Sequence, residues 1–246
     1  MKLLDEFSIQ LYSVREEMEK DFIGTLEKLG KKGMGYTGVQ FAGYGGLSAD
    51  EVKKALEDNG LKSIGTHAGM ERLTNELDEE IAYSKKIGSE YIVLSYAEMK
   101  SKAGVIDLAK KLTPVAEKIN AAGLKFGYHN HAHEFAVEEG EYLLDIFFAN
   151  LPAGTIMELD IHWSEYAGVD SLAYMEKHKS RLELFHVKQI DENKNNSEID
   201  NGLLDFQDII TKGKAMGIKH FILEQEEYAV SPMASAENAI KYINSL

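Results

Sequence analysis

Residues 155–162, TIMELDIH, form a short β-rich apolar run that finishes on ionisable side chains. Three other runs share its form: LKFGYHNH over residues 124–131, LELFHVKQ over 182–189 and KHFILEQE over 219–226. Outward from these, similar runs begin near Phe7 (FSIQLY), Tyr36 (YTGVQF), Lys62 (KSIGTH) and Glu90 (EYIVLS), which makes eight strand candidates. Their starts lie about 30 residues apart, the span of one βαβ step. The stretches between them are longer, amphipathic and rich in Lys and Glu. Ser48-Ala49-Asp50-Glu51 has the form of a capping box, and Gly30, Gly60, Gly88, Gly123 and Gly217 fall where helices should end.

This alternation predicts an α/β fold with helices packed around a parallel sheet. An open doubly wound sheet alternates in the same way, but no glycine-rich phosphate fingerprint follows the first strand, where FSIQLYSVREEM runs straight into a helix. The chain has 246 residues, close to the roughly 250 of one eight-stranded α/β barrel. Length and strand count together predict a single (β/α)8 TIM barrel over residues 1–246. A polar segment over residues 191–201 interrupts the pattern after the seventh strand and is a candidate lid or substrate-contacting loop.

With 44% hydrophobic and 28% charged residues the composition is that of a globular protein. Lys plus Arg number 27 and Asp plus Glu 41, so the formal charge of −14 would repel a phosphate backbone or an anionic bilayer. Nucleic acid and membrane are therefore not expected partners. Cysteine is absent, which removes disulfides, thiolate metal sites and a cysteine nucleophile, so any metal must sit on His, Asp, Glu or Asn. No segment approaches the roughly 20 apolar residues of a membrane span. The expected location is the cytoplasm.

In a (β/α)8 barrel the C-terminal strand ends form the active face. Of the 8 histidines, His67, His129, His131, His133, His162 and His186 lie at or just beyond such an end. Glu158 and Asp160 on the sixth strand and Glu224 and Glu226 on the eighth join them. Side chains two apart on a strand share a face, so His129 with His131, Asp160 with His162, His186 with Lys188 and Glu224 with Glu226 can each point together. A lone histidine at a strand end is ordinarily a hydrogen-bonded structural residue. The set His129, Asp160, His186 and Glu224 is different, because four ionisable groups on neighbouring strands are costly to bury without partners or a metal. The pattern points to a divalent metal polarising a sugar carbonyl or hydroxyl while a nearby group moves a proton, with Lys188 supplying charge to an oxyanion or phosphate. Trp163 and Tyr166 are placed either to stack on a sugar ring or to pack.

FSIQLYSVR at residues 7–15, GYTGVQFAG, IGTHAG, GYHNHAHEF, MELDIHW, LFHVKQI and FILEQEEY together resemble the sugar phosphate isomerase/epimerase superfamily, the xylose isomerase-like barrels. The likeness covers nearly the whole chain, and its HNHxxEF element looks closest to inosose-dehydratase-like and keto-sugar-processing relatives. It implies a metal held by residues of strands five to eight, here His129, Asp160, His186 and Glu224. His129 stands where the family typically has Glu, Gln40 where relatives often carry Glu, and Gln189 where the family motif reads HVKD. Loss of acidic groups from the mouth favours Mn2+, Zn2+ or Co2+ over Mg2+.

The expected function is that of an isomerase or epimerase in carbohydrate metabolism, acting on a small keto-sugar, polyol or sugar phosphate by metal-assisted proton abstraction beside a carbonyl. Glu224 or His131 is the expected proton-transfer group and Lys188 the electrostatic support; Gln10, His67, Glu134, His162 and Trp163 are expected to line or brace the substrate pocket. The alternatives are a keto-glycoside lyase or hydrolase, an inosose-dehydratase-like lyase, or a sugar-binding barrel without catalysis. An abasic-site endonuclease shares the fold but calls for a basic groove, against the charge found here. Barrels of this kind are often dimers or tetramers, which leaves room for a homo-oligomer.

Overall fold

Strand-end polarity and strand-centre hydrophobicity sort into layers in the computed structural model, which describes residues 2–246. The eight parallel strands are β1 (Ser8–Gln10), β2 (Gly38–Phe41), β3 (Lys62–Ala68), β4 (Tyr91–Leu94), β5 (Lys125–His129), β6 (Ile156–Asp160), β7 (Leu182–Val187) and β8 (His220–Leu223). They close in sequence order, and β8 returns to β1 through the pairs Ser8 with Ile222 and Ile9 with Leu223. At least one helix follows each strand, with two after β1, β3 and β6; they run from Arg15–Lys20 and Phe22–Leu29 after β1 to Pro232–Ser245 after β8. The capping box at Ser48 and Glu51 forms, and Gly60, Gly88 and Gly217 end their helices in the left-handed region.

Two apolar clusters hold this arrangement. The larger lies between the strands and the surrounding helices, and the smaller fills the barrel with Ile64, Tyr91, Val93, Ile156, Leu184 and Ile222. Space for the inner cluster is made partly by Gly127, where a Cβ would lie 2.6 Å from Ile156 Cδ1. Above this plug, steps of two along each strand pass from apolar to ionisable: Ile156, Glu158, Asp160 on β6; Leu184, His186 and then Lys188 at the end of β7; Ile222 and then Glu224 at the end of β8. These ionisable side chains thus gather on the floor of the barrel mouth.

Two places break the ladder. Register shifts fall between Val39 and Gln40 in the β2–β3 pairing and between Met157 and Glu158 in the β6–β7 pairing. Such irregularities re-aim side chains next to functional sites. Two short hairpins, Val137–Glu138 with Glu141–Tyr142 and Gln189–Ile190 with Asn196–Ser197, have no counterpart in the alternating pattern. The second starts just before the polar segment after β7 and runs into it. Side-chain hydrogen bonds anchor that segment: Gln189 Nε2 donates to the carbonyls of Ile199 and Leu204, and Asn196 Oδ1 accepts from the amides of Glu226 and Glu227.

The opposite end of the barrel is closed by a polar knot. Glu183 accepts from Lys125 Nζ at 2.6 Å, Lys219 Nζ at 2.8 Å and the Tyr91 hydroxyl at 2.8 Å, joining β4, β5, β7 and the start of β8. Burial pushes the Glu183 carboxyl up, but these donors outweigh it and hold its pKa below the usual 4.5. A carboxylate depressed in the folded state stabilises the protein above its unfolded pKa and loses that contribution as the pH falls through the folded value. Glu183→Gln is expected to lower unfolding free energy at neutral pH by about 1–3 kcal/mol. Urea unfolding of the two proteins should converge as the pH is lowered below 4.5, and a constant gap would refute the assignment.

Candidate active site

The end of β6 sets the floor of the site. Asp160 is the last strand residue, and its Oδ1 accepts from the His162 amide at 2.9 Å to cap the short helix Ile161–Tyr166. Asn130 after β5 locks this corner, accepting from the Asp160 amide at 3.0 Å and donating to the Asp160 carbonyl at 3.3 Å. The other carboxylate oxygen, Oδ2, is buried without a hydrogen-bond partner. Lys188 Nζ stands 3.6 Å from it.

His129, Asp160, His186 and Glu224 are brought together: each offers a ligand atom, and those atoms lie within 4.8 Å of one another. His186 Nδ1 is 2.9 Å from Glu224 Oε2, and His129 Nε2 is 3.9 Å from the same oxygen. A second set of His67, His129, Glu158 and His186 meets the same distance criterion and shares both imidazoles. Glu158 is wholly buried, accepts from Gln40 Nε2 and contacts His67 Nε2. It stands 3.3 Å from His129 Nδ1 and 3.2 Å from His186 Nε2. Each shared imidazole therefore turns one nitrogen toward Glu158 and the other toward Glu224.

The electrostatics follow from burial and pairing. Burial drives the His129 pKa down to about 3, which leaves a neutral imidazole with a lone pair to offer. Burial also opposes charge on His186, but Glu158 and Glu224 outweigh it and hold that imidazole well above its usual value, so a cation would bind there by displacing a proton. Burial pushes the carboxyls of Glu158 and Glu224 up, and their neighbours more than reverse this: chiefly His186 for Glu158, and Lys188 and His186 for Glu224. Asp160 is the exception. Burial raises it to about 7, with Lys188 offsetting part of the rise and Glu224 adding to it. A divalent cation would compensate this crowded carboxylate and occupy its unpartnered oxygen, so the donor set fits a metal.

Lys188 is 1% exposed and carries its charge on three carboxylates: Asp160, Glu224 at 3.7 Å and Glu226. Its Nζ also sits 4.9 Å from the Trp163 ring centroid. Burial lowers its pKa, and the three carboxylates raise it further in the other direction.

Over this floor lies a cavity of about 440 Å³ lined by His67, His129, His131, Glu224 and Glu226 together with Tyr12, Ser95 and Tyr96. His131 stands between Tyr96 and Trp163, with ring centroids 5.3 and 5.6 Å away. The remaining expected residues lie behind this wall. Gln10 is fully buried and donates to Gln40 Oε1 at 2.9 Å; Glu134 accepts from the Tyr128 hydroxyl and the His131 amide, each at 2.8 Å. The His162 ring does not share the mouth with the Asp160 carboxylate, because the chain turns helical after Asp160 and the period of two ends; its Nδ1 donates instead to the Gln189 carbonyl at 3.0 Å. Gln189 does not face the mouth either, and its side chain serves the 191–205 loop.

Sequence reasoning passed over the central place of Glu158, although its position two before Asp160 on one strand face was a sufficient signal. It also passed over Tyr12, Ser95 and Tyr96, which follow β1 and β4 as the barrel geometry requires of mouth residues.

Among solved structures, a sugar phosphate isomerase/epimerase from Parabacteroides distasonis ATCC 8503 superimposes with a TM-score of 0.83 at 24% identity over 96% of each chain. An L-ribulose 3-epimerase gives 0.73 at 16% identity, covering 98% of this chain and 93% of its own. The IolI protein with a bound zinc atom gives 0.74 at 14% identity, covering 100% and 98%. At these identities the likeness shows the fold alone. No curated protein matches the sequence. Among the described residues no helix is long and apolar enough to cross a membrane. Residues 27–246 match the family described as the xylose isomerase-like TIM barrel, and the chain belongs to that family.

Proposed function

We propose that the chain is a metal-assisted enzyme that moves a proton on the carbon beside a carbonyl of a small keto-sugar or keto-polyol, as an isomerase or epimerase does. The observation that carries this reading is the convergence of His129, Asp160, His186 and Glu224 beneath a polar cavity, with a buried Asp160 oxygen left without a partner. The family and the epimerase among the structural neighbours support it, as does the zinc in the IolI structure. Two imidazoles and two carboxylates suit Mn2+, Zn2+ or Co2+ better than Mg2+. When bound, such a cation acts as a Lewis acid on the substrate carbonyl.

The chain's own residues supply the rest. His131 lines the cavity; its Nδ1 is buried 3.7 Å from Glu134 Oε1, which leaves Nε2 as the nitrogen to take the substrate proton. Glu224 presents a second carboxylate to the same cavity. Lys188 sets a fixed positive charge below the mouth, where negative charge grows as the proton leaves. Trp163 and Tyr96 hold the His131 ring from two sides. Glu158 lies beneath, 3.3 Å from His129 Nδ1 and 3.2 Å from His186 Nε2, so its charge bears on both imidazoles of the metal set.

Purified protein should contain a stoichiometric divalent cation, and solvent deuterium should enter keto-sugar substrates in a reaction abolished by chelation. Asp160→Asn and Glu224→Gln should lose the cation, while His131→Ala should keep it and slow exchange by about 10²–10⁴-fold. Absence of both cation and exchange across a panel of keto-sugars would defeat the proposal. Glu158→Gln tests the support beneath the site. It should weaken cation binding by about 10–100-fold in a calorimetric titration. It should also lower unfolding free energy by about 3–5 kcal/mol, because it breaks a buried ion pair from one side. Unchanged cation affinity would show that Glu158 does not orient the ligands.

A further inference from the structure

The cavity over the floor is lined by charge of one sign. Among the described residues its wall contains the carboxylates of Glu224 and Glu226, three imidazoles, and neither lysine nor arginine. Two cations border that wall, and both are engaged. Lys188 is 1% exposed and lies on Asp160, Glu224 and Glu226, so it offers a phosphate no surface to bind. Arg15 stacks on the Tyr12 ring at 4.5 Å, and its Nη1 donates to the Tyr12 carbonyl and the Tyr228 hydroxyl.

A divalent cation on the floor would not reverse this sign. With neutral imidazoles, the two charges of the cation and the one of Lys188 face the four carboxylates of Glu158, Asp160, Glu224 and Glu226. Glu226 is the most exposed of the four, with its side chain 34% accessible. It is also held in place: its amide donates to Asn196 Oδ1 at 2.7 Å, and its Oε2 accepts from Lys188. Among the described residues no other side chain donates to it, which leaves Oε1 for a ligand in the cavity.

We propose that the cavity selects an uncharged keto-sugar over the corresponding sugar phosphate, with Glu226 as the specificity-determining residue; this rests on the sugar-processing reading above. A sugar hydroxyl that donates to Glu226 Oε1 makes a charge-assisted hydrogen bond. A phosphate ester at the same place has lost that donor and sets a second anion beside the carboxylate. Tyr12 and Tyr96, 43% and 52% exposed, offer the cavity aromatic rings that cover the C–H faces of a sugar and call for no charge.

The test is calorimetric titration of the full chain as purified with free ketoses and their phosphates: ribulose and xylulose against the 5-phosphates, fructose, psicose and tagatose against the 6-phosphates. In every pair that binds, the free sugar should bind at least about tenfold more tightly, because like charges set together are costly. Glu226→Gln removes the charge but keeps an acceptor for Lys188. It should weaken the free sugars about tenfold and erase most of the preference over the phosphates. Glu19→Gln removes an exposed carboxylate that does not line the cavity and should leave both affinities unchanged. Equal or tighter binding of the phosphates, an unaltered preference in Glu226→Gln, the same loss in Glu19→Gln, or failure of every free ketose to bind would each overturn the assignment. Binding is read without turnover. A preference for free ketoses beside absent proton exchange would therefore sink the reaction and spare the selectivity, and proton exchange in phosphates that bind more tightly would do the opposite.

Discussion

A carboxylate that solvent does not reach, Glu158, imposes the constraint that the mouth of this barrel is built around. Removing an ionised carboxylate from water costs several kcal/mol even after relaxation, and only close, well-oriented partners offset it. Here Gln40 of β2 and His67 of β3 bond to it directly, and the rings of His129 of β5 and His186 of β7 stand 3.3 and 3.2 Å away, the His129 nitrogen without a hydrogen bond. The Gln40 bond crosses the barrel interior, and both of its ends sit where the strand ladder shifts register. A regular ladder would hold successive inward side chains at fixed heights. The two irregularities are the local distortions that accompany the meeting of these side chains.

The hub also explains the neutral residue at position 40. Gln40 donates to Glu158 through its Nε2, while its Oε1 accepts from Gln10 and from His186 at 2.8 Å. A glutamate there would face Glu158 with a second negative charge at hydrogen-bond distance, and one of the two would have to bind a proton. The absence of Glu at position 40 therefore does not leave the centre of the barrel without a carboxylate, because β6 supplies one. Gln189 has a separate explanation: its amide meets two carbonyls and two amides of the loop after β7, a pattern that a carboxylate could only half satisfy.

What could be read from the sequence divides along physical lines. Strand and helix periods are local, so the eight βα units, the capping box at Ser48 and the ionisable strand ends were all legible. The same-face rule placed His186 with Lys188 and Glu224 with Glu226, whose side chains meet through Lys188. It failed at Asp160 and His162 because the rule lasts only as long as the strand, and the carboxylate that ends β6 also caps the next helix. The Gln40–Glu158 bond joins residues 118 apart in the chain, and no local pattern records which strand faces which across a closed barrel.

The last element to place is Lys188. Its ammonium lies 3.6 Å from Asp160 Oδ2 and 3.7 Å from Glu224 Oε2, so it shares two carboxylates with any cation held by the four-residue set. Two positive charges on common ligands weaken each other's hold. Glu226 relieves that competition by giving the ammonium a third partner outside the set, and at 34% exposure it does so from the cavity wall. Trp163 adds a face for the same ammonium at 4.9 Å. The positive charge is thereby held toward the mouth rather than drawn wholly onto the floor. From beneath the cavity its fixed charge would act on a negative charge growing there without displacing the carboxylates that organise the site.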